Sequence, residues 1–240
     1  MPLTFADLLA APAFVVNMDA CTDRWAAVVP RLASAGFTSV ERWPAVDARN
    51  PADLARAWAA VGNPPFDPRD VKFTIFPGKQ GCTLSHLLLW RHIAESGAPY
   101  AVVFEDDAFF HERWHELAPA YMEATPANWD ILYMGAQLAA PPPSAHIARV
   151  PVFCTHAYVV TAAGAQRLYD ALMTCATGFS IVDCMLIHCM HSQACPFNWY
   201  VWNATMYPDV NAAADNKEWA QRNHGLVFQD ATMGSFVEPT

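Results

Sequence analysis

Tyr100-Ala101-Val102-Val103-Phe104-Glu105-Asp106-Asp107 is the stretch whose reading decides the fold. Five apolar or aromatic residues without polar alternation describe a central strand, covered on both faces, in an α/β sheet. The run stops abruptly on three carboxylates. Open α/β sheets hold ligands outside the carboxyl ends of their strands, so Glu105, Asp106 and Asp107 stand where a ligand is expected. Adjacent carboxylates repel one another and raise each other's pKa. A hard divalent cation, Mn2+ or Mg2+, relieves that repulsion. Such an ion bridges a diphosphate and neutralises charge building on a leaving nucleoside diphosphate. The alternative is a solvated acidic turn that caps the next helix.

Toward the N-terminus, Phe14-Val15-Val16-Asn17 reads as a buried strand. Asp23 to Ala35 then carries Trp25, Val28, Val29 and Leu32 at helical spacing, with Gly36 as the stop. Thr38 to Ala45 predicts a second strand, and this strand–helix–strand opening is the start of a nucleotide-binding α/β layer. Asn50-Pro51 opens a helix that runs to Gly62. The Pro-, Gly- and Asp-rich segment from Asn63 to Gly81 predicts a loop. Thr83 to Glu95 predicts a strong helix closed by Gly97.

Toward the C-terminus, strands are expected at Trp129 to Met134 and Phe153 to Thr161. Helices are expected at Gly164 to Thr174 and Val182 to Ser192. Ala139 to Ser144 is a Pro-rich loop, and the chain after Pro196 reads as loops and short strands.

Composition narrows the function classes. The 240 residues are 54% hydrophobic and 15% charged, which describes a globular chain with a sizeable core. Net charge is −9, from 14 Lys and Arg against 23 Asp and Glu. A nucleic-acid partner would want a basic face, and none is visible. Neither a signal peptide nor an apolar run of transmembrane length is evident, so a cytoplasmic chain, peripheral to a membrane where its acceptor demands it, is expected. Seven Cys without a framework pattern predict free thiols. Cys184, His188, His191 and Cys195 share one helical face. A straight helix would spread them over about 16 Å, too far for one tetrahedral ion.

Gly78-Lys79-Gln80-Gly81-Cys82-Thr83-Leu84-Ser85-His86, followed by Leu89-Trp90 and by Tyr100 to Ala108, resembles the family 25 glycosyltransferases. That group includes lipooligosaccharide and collagen hydroxylysine galactosyltransferases. Its pattern is a Gly-x-x-Gly-Cys-x-Leu-Ser-His segment ahead of an apolar strand ending in Glu-Asp-Asp. Phe14 to Asn17 with Asp23-Arg24, Pro44-Ala45-Val46-Asp47, Thr155 to Val160 with Gly164-Ala165, Val182-Asp183, and His224 to Gln229 with Ser235 agree in order. The departures are Lys79, where an acidic residue is usual, and Met18-Asp19 after Asn17. They bear on acceptor identity more than on chemistry.

The resemblance implies a GT-A type α/β fold: one Rossmann-like mixed sheet flanked by helices in a single domain. Residues 14–110 would form the nucleotide-sugar half and 111–240 the acceptor half. It implies inverting transfer of galactose or glucose from a UDP-sugar, with Mn2+ or Mg2+, to a glycan, lipooligosaccharide or hydroxylysine-type acceptor. Asn17 and Asp47 would hold uridine and ribose, with Arg24 on base or phosphate and Glu105 and Asp106 also facing the donor. Arg24 otherwise reads as a helix-surface charge. Ser85 and His86 open the helix before the central strand, as donor ligands or as a cap and core residues. Glu105, Asp107 and His224 would ligate the metal, His224 being otherwise a surface residue. An inverting transfer needs a base opposite the leaving diphosphate. Asp183, at a helix start in the acceptor half, is the first candidate and otherwise an N-cap; Asp130 is the second. A sugar-nucleotide hydrolase and a non-catalytic nucleotide- or glycan-binding module are the competing readings.

Overall fold

In the computed structural model, residues 3–139, 146–176, 178–203 and 223–233 are described. The elements are α1 (Phe5–Ala10), β1 (Ala13–Asn17), α2 (Thr22–Ala35), β2 (Val40–Pro44), α3 (Pro51–Ala60), α4 (Val71–Ile75), α5 (Pro77–Glu95), β3 (Tyr100–Glu105), β4 (Ala108–Phe110) and α6 (Trp114–Ala124). They continue with β5 (Ile131–Leu138), β6 (Ile147–Ala148), β7 (Val152–Thr161), α7 (Ala162–Met173), α8 (Val182–His191), β8 (Trp199–Trp202), β9 (Asn223–Gly225) and β10 (Val227–Gln229). The main sheet runs β2-β1-β3-β7-β5-β8-β6, with β9 paired to β5, while β4 and β10 form a separate ribbon. Strands β1, β2 and β3 are mutually parallel, and β7 runs antiparallel to both β3 and β5. This is the expected α/β class, with a mixed sheet flanked by helices.

Two apolar layers explain why the strands read as continuous hydrophobic runs. Successive strand side chains point to opposite faces. Phe14 and Val16, Ala101 and Val103, and Tyr158 and Val160 therefore enter a core shared with α3, α5, α7 and α8. Val15, Val102, Phe104 and Val159 enter a second core under α1, α2 and α6. Burying a Val, Leu or Phe side chain contributes about 1.5–3 kcal/mol, and β3 does so on both sides. Val102, Val103 and Phe104 are fully buried, as a central strand requires.

Most boundaries fall within a few residues of the expected ones. Asn50 caps α3, its Oδ1 accepting the Ala52 amide at 3.0 Å. Gly36 ends α2 with a left-handed φ of 96°. The segment from Asn63 to Gly81 is a correction: it contains α4, and α5 begins at Pro77 rather than Thr83. Pro77 supplies a pre-set φ for the first turn. Gly81, which reads as a breaker, serves packing instead. A Cβ on Gly81 would lie 2.6 Å from the Val46 carbonyl oxygen, so only glycine lets α5 press on the loop after β2. The predicted loop at Ala139 to Ser144 and the tail at Ser235 fall outside the described residues, apart from Ala139. Among the described residues no helix is long and apolar enough to cross a membrane.

The connections place the site. From β1 the chain passes through α2 to β2 on one side, then returns through α3, α4 and α5 to β3 on the other. The crossover direction reverses at β1, and the crevice at such a switch point is where doubly wound sheets take ligands.

Candidate active site

The carboxyl ends of β1 and β3 carry Asn17 and Glu105, and the turn after β3 carries Asp106 and Asp107. Helix α2 brings Arg24 from one face, and α5 brings Cys82, Ser85 and His86 from the other. Apart from Asn17, which is buried behind them, these residues line one open cleft together with Val16, Met18, Asp47, Arg49, Gly81 and Gln229.

Asn17 donates its amide hydrogens to the Cys21 carbonyl at 3.0 Å and to Asp106 Oδ2 at 2.7 Å. Its Oδ1 is buried with no hydrogen-bond partner among the described residues. Arg24 is 8% exposed, so it is no surface charge. Its Nη2 lies 2.6 Å from Asp106 Oδ1 and 3.1 Å from Asp107 Oδ2. One guanidinium thus faces two of three carboxylates. Burial pushes Asp106 upward despite Arg24 and Asn17. Burial, and then the charge on Glu105, pushes Asp107 up to about 7. Asp107 Oδ1 is buried and also unpartnered among the described residues.

Glu105 differs from its neighbours. Burial raises its pKa, but the hydrogen bonds from His86 and Thr155 hold it below the usual range. Three donors converge on it: His86 Nε2 at 3.3 Å, Thr155 Oγ1 at 2.9 Å and Gln229 Nε2 at 3.3 Å. His86 is fully buried, with Nδ1 2.9 Å from Tyr158 Oη, which accepts the Trp90 indole N–H at 2.8 Å. One assignment uses every donor. Trp90 donates to Tyr158, Tyr158 to His86 Nδ1, and His86 Nε2–H to the Glu105 carboxylate. Glu105 is therefore a fixed, ionised acceptor at the floor of the cleft.

The remaining expected residues separate by position. Ser85 and His86 lie within α5 rather than opening it. Ser85 Oγ donates to the Gly81 carbonyl at 2.6 Å and accepts the Val46 amide at 2.9 Å, tying helix to loop. Asp47 lies in the loop after β2 and is gripped by Arg49 Nε at 2.8 Å, which holds its carboxyl below the usual range. Asp183 lies inside the first turn of α8, whose N-cap is Ile181, so it is not the cap. Its Oδ2 accepts the Cys154 amide at 3.3 Å and its Oδ1 the Cys184 amide at 2.8 Å. Cys154 belongs to the part of β7 beyond Ala157, which pairs with Phe104. That puts Asp183 at the Glu105 end of the sheet, outside the lining of the cleft.

Asp130 is a correction. It precedes Ile131, whose partner is Val160, and Tyr100 pairs with Thr161. It therefore sits at the opposite end of the sheet from Glu105. Its carboxylate is used by Arg167 and by the Asn198 amide. His224, on β9 opposite Ala136, is 6% exposed, which overturns the surface reading. Among the described residues, the set of three ligand atoms lying within 4.8 Å of one another is that of Cys82, His86 and Glu105; Glu105, Asp107 and His224 do not make such a set. The one-face pattern of four soft ligands ends early, because α8 stops at His191, before Cys195. All seven thiols are free, as expected. Thr155, Gln229 and Cys82 were not singled out from sequence. Each stands in a stretch that carried the family resemblance, but its contact with Glu105 is tertiary.

An acidic crevice at the switch point of an open α/β sheet stands where such folds take their ligands. The chain belongs to glycosyltransferase family 25 (LPS biosynthesis protein), whose family model matches residues 10–151. Among curated relatives, the probable inactive glycosyltransferase 25 family member 3 of Bos taurus is 32% identical over 105 residues, 40% of this chain and 18% of that protein. Procollagen galactosyltransferase 1 of Danio rerio is 29% identical over 106 residues, 39% of this chain and 17% of that protein. The chain thus matches under a fifth of the length of these relatives. Among solved structures, mouse xyloside xylosyltransferase 1 in its apo form aligns with a TM-score of 0.48 and 10% identity, over 98% of this chain and 92% of that one.

Proposed function

We propose that the chain transfers a hexose, galactose or glucose, from a UDP-sugar with inversion, using Mn2+ or Mg2+, to a glycan, lipooligosaccharide or hydroxylysine-type acceptor. The observation that carries this reading is the buried Asp107 Oδ1, without a hydrogen-bond partner among the described residues, beside two further carboxylates in a family 25 chain. An unsatisfied buried acceptor costs about 1–3 kcal/mol, and a hard cation removes that cost. Asp107 and Glu105 are the residues that would hold it. When bound, such an ion neutralises the diphosphate as it departs. Residues 14–110 would form the donor half and 111–240 the acceptor half.

The chain's own groups supply the rest. Asn17 would serve the donor from behind the cleft lining, where its amide and Arg24 hold Asp106 in place. The Trp90–Tyr158–His86 relay and Thr155 fix the Glu105 carboxylate, so little reorganisation is needed when charge develops. Asp183 takes the acceptor proton as its oxygen attacks.

A second reading is a binding module that has lost turnover. Arg24 already compensates Asp106 and Asp107, and several relatives carry names that call them inactive. A donor screen separates these two readings from each other and from a sugar-nucleotide hydrolase. With Mn2+ present, UDP release from UDP-galactose or UDP-glucose that rises with acceptor supports transfer. Release independent of acceptor supports a hydrolase, and nucleotide binding without release supports the module.

A further inference from the structure

Helix α5 carries a sulfur and a nitrogen ligand at the edge of the cleft that the proposed transfer does not use as ligands. Cys82 and His86 are four residues apart, so they sit one above the other on the same helix face. That face meets the end of β3. One ligand atom each from Cys82, His86 and Glu105 lies within 4.8 Å of the others, and all three residues line the cleft.

We propose that Cys82, His86 and Glu105 form a thiophilic metal site for an ion of the Zn2+ class, with its fourth position open to the cleft. A tetrahedral ion with bonds of about 2.0–2.1 Å to nitrogen and oxygen separates those two ligands by about 3.3 Å. His86 Nε2 and Glu105 Oε1 are already 3.3 Å apart. The ion can therefore replace their hydrogen bond with little movement of either side chain. The outer supports are in place too. His86 Nδ1 faces Tyr158 Oη at 2.9 Å, the kind of partner that orients a ligating imidazole. Thr155 Oγ1 and Gln229 Nε2 hold the carboxylate. Binding at Nε2 releases the Cys82 thiol proton to solvent and shifts the imidazole proton from Nε2 to Nδ1, where Tyr158 Oη turns from donor to acceptor.

The sulfur distinguishes this site from the hard-cation site proposed above. Mn2+ and Mg2+ favour oxygen, whereas Zn2+ and Co2+ accept thiolate and imidazole. Both sites claim Glu105, so zinc occupancy withdraws a ligand from the donor side. The binding does not rest on the transferase reading, because it is measured without donor or acceptor.

Co2+ is the probe. Titrated into the metal-free wild-type chain, it should give a thiolate-to-cobalt charge-transfer band that saturates at one equivalent. Zn2+ should abolish the band, and a hundredfold excess of Mg2+ should not. Cys82→Ser should lose the band, while Cys184→Ser, on the exposed face of α8, should keep it. Glu105→Gln should weaken Co2+ binding at least tenfold, with circular dichroism confirming that each variant is folded. Absence of the band in the wild-type chain overturns the proposal whatever the variants do. So does a band that persists in folded Cys82→Ser, or one that Mg2+ displaces.

Discussion

At the scale of single residues, the acidic triplet shows how neighbours of one chemical type acquire different tasks. Glu105 receives three donors and is held ionised; Asp107, two residues on, has one oxygen near Arg24 and the other without a partner among the described residues. A folded-state pKa near 7 for Asp107, against an ordinary value of 3.8, has a definite sign. The folded chain holds that proton more tightly than the unfolded one. The associated stability is complete below about pH 4, declines as pH rises toward 7, and is absent above it. Asp107→Asn removes the buried charge, while its carbonyl can still accept from Arg24. In the metal-free protein at pH 8 the variant should be more stable by about 1–2 kcal/mol, a rise of about 3–6 °C in Tm. It should also lose Mn2+-dependent transfer and the stabilisation that Mn2+ confers. A metal-free Tm that falls at pH 8 would discredit the buried-charge account. Transfer that survives in the variant, or in excess EDTA, would discredit the metal ligand.

At the scale of elements, α8 and β7 decide what Asp183 can do. The sequence reading made it the first candidate for the base and otherwise an N-cap, a role in which Asn serves about as well as Asp. In the fold its two oxygens accept amides from Cys184 and from Cys154, and Cys154 holds a left-handed φ of 71° that a residue with a side chain seldom adopts. Asn would turn an NH2 toward one of those amides, at a cost of about 1–3 kcal/mol. Asp183→Asn should therefore melt a few degrees lower and still bind UDP. If Asp183 is the base, kcat should fall by about 10²–10⁴. A kcat within a few-fold of wild type at saturating donor would reduce Asp183 to a brace for β7. The same elements show what was legible beforehand. The run from Tyr100 to Phe104 announced a central strand because nothing polar interrupts it, and the carboxylates that end it marked the cleft. The start of α5 was hidden, because Gly78 and Gly81 look like breakers until the Val46 carbonyl oxygen is seen beside Gly81. Thr155 and Gln229 reach Glu105 from 50 and 124 residues away, which no local pattern encodes. Asp130 failed because its merit was its acidity, whereas its position before β5 puts it at the wrong end of the sheet.

At the scale of the whole molecule, charge and topology jointly constrain the ligand. The chain carries a net charge of −9, so it has no long-range attraction for a nucleoside diphosphate. The cleft itself adds four carboxylates, Asp47, Glu105, Asp106 and Asp107, against Arg24 and Arg49. A diphosphate should therefore enter only with a cation that converts the acidic cluster from repulsive to attractive. Under the proposed function the base would meet the β1–α2–β2 unit and the loop that follows it, a surface separate from the acidic cluster. These two dependences separate in a melting experiment. A ligand that binds the folded chain alone, at a hundred times its Kd, adds about 2.7 kcal/mol, which is roughly 5–10 °C for a chain of this size. With Mn2+ present, UDP should raise Tm by that amount and GDP by much less. With EDTA in place of Mn2+, UDP should have almost no effect. Equal shifts from UDP and GDP would remove uridine recognition while leaving the cation argument standing. An undiminished UDP shift in EDTA would do the reverse, and Arg24 and Arg49 would then have to carry the diphosphate without a metal.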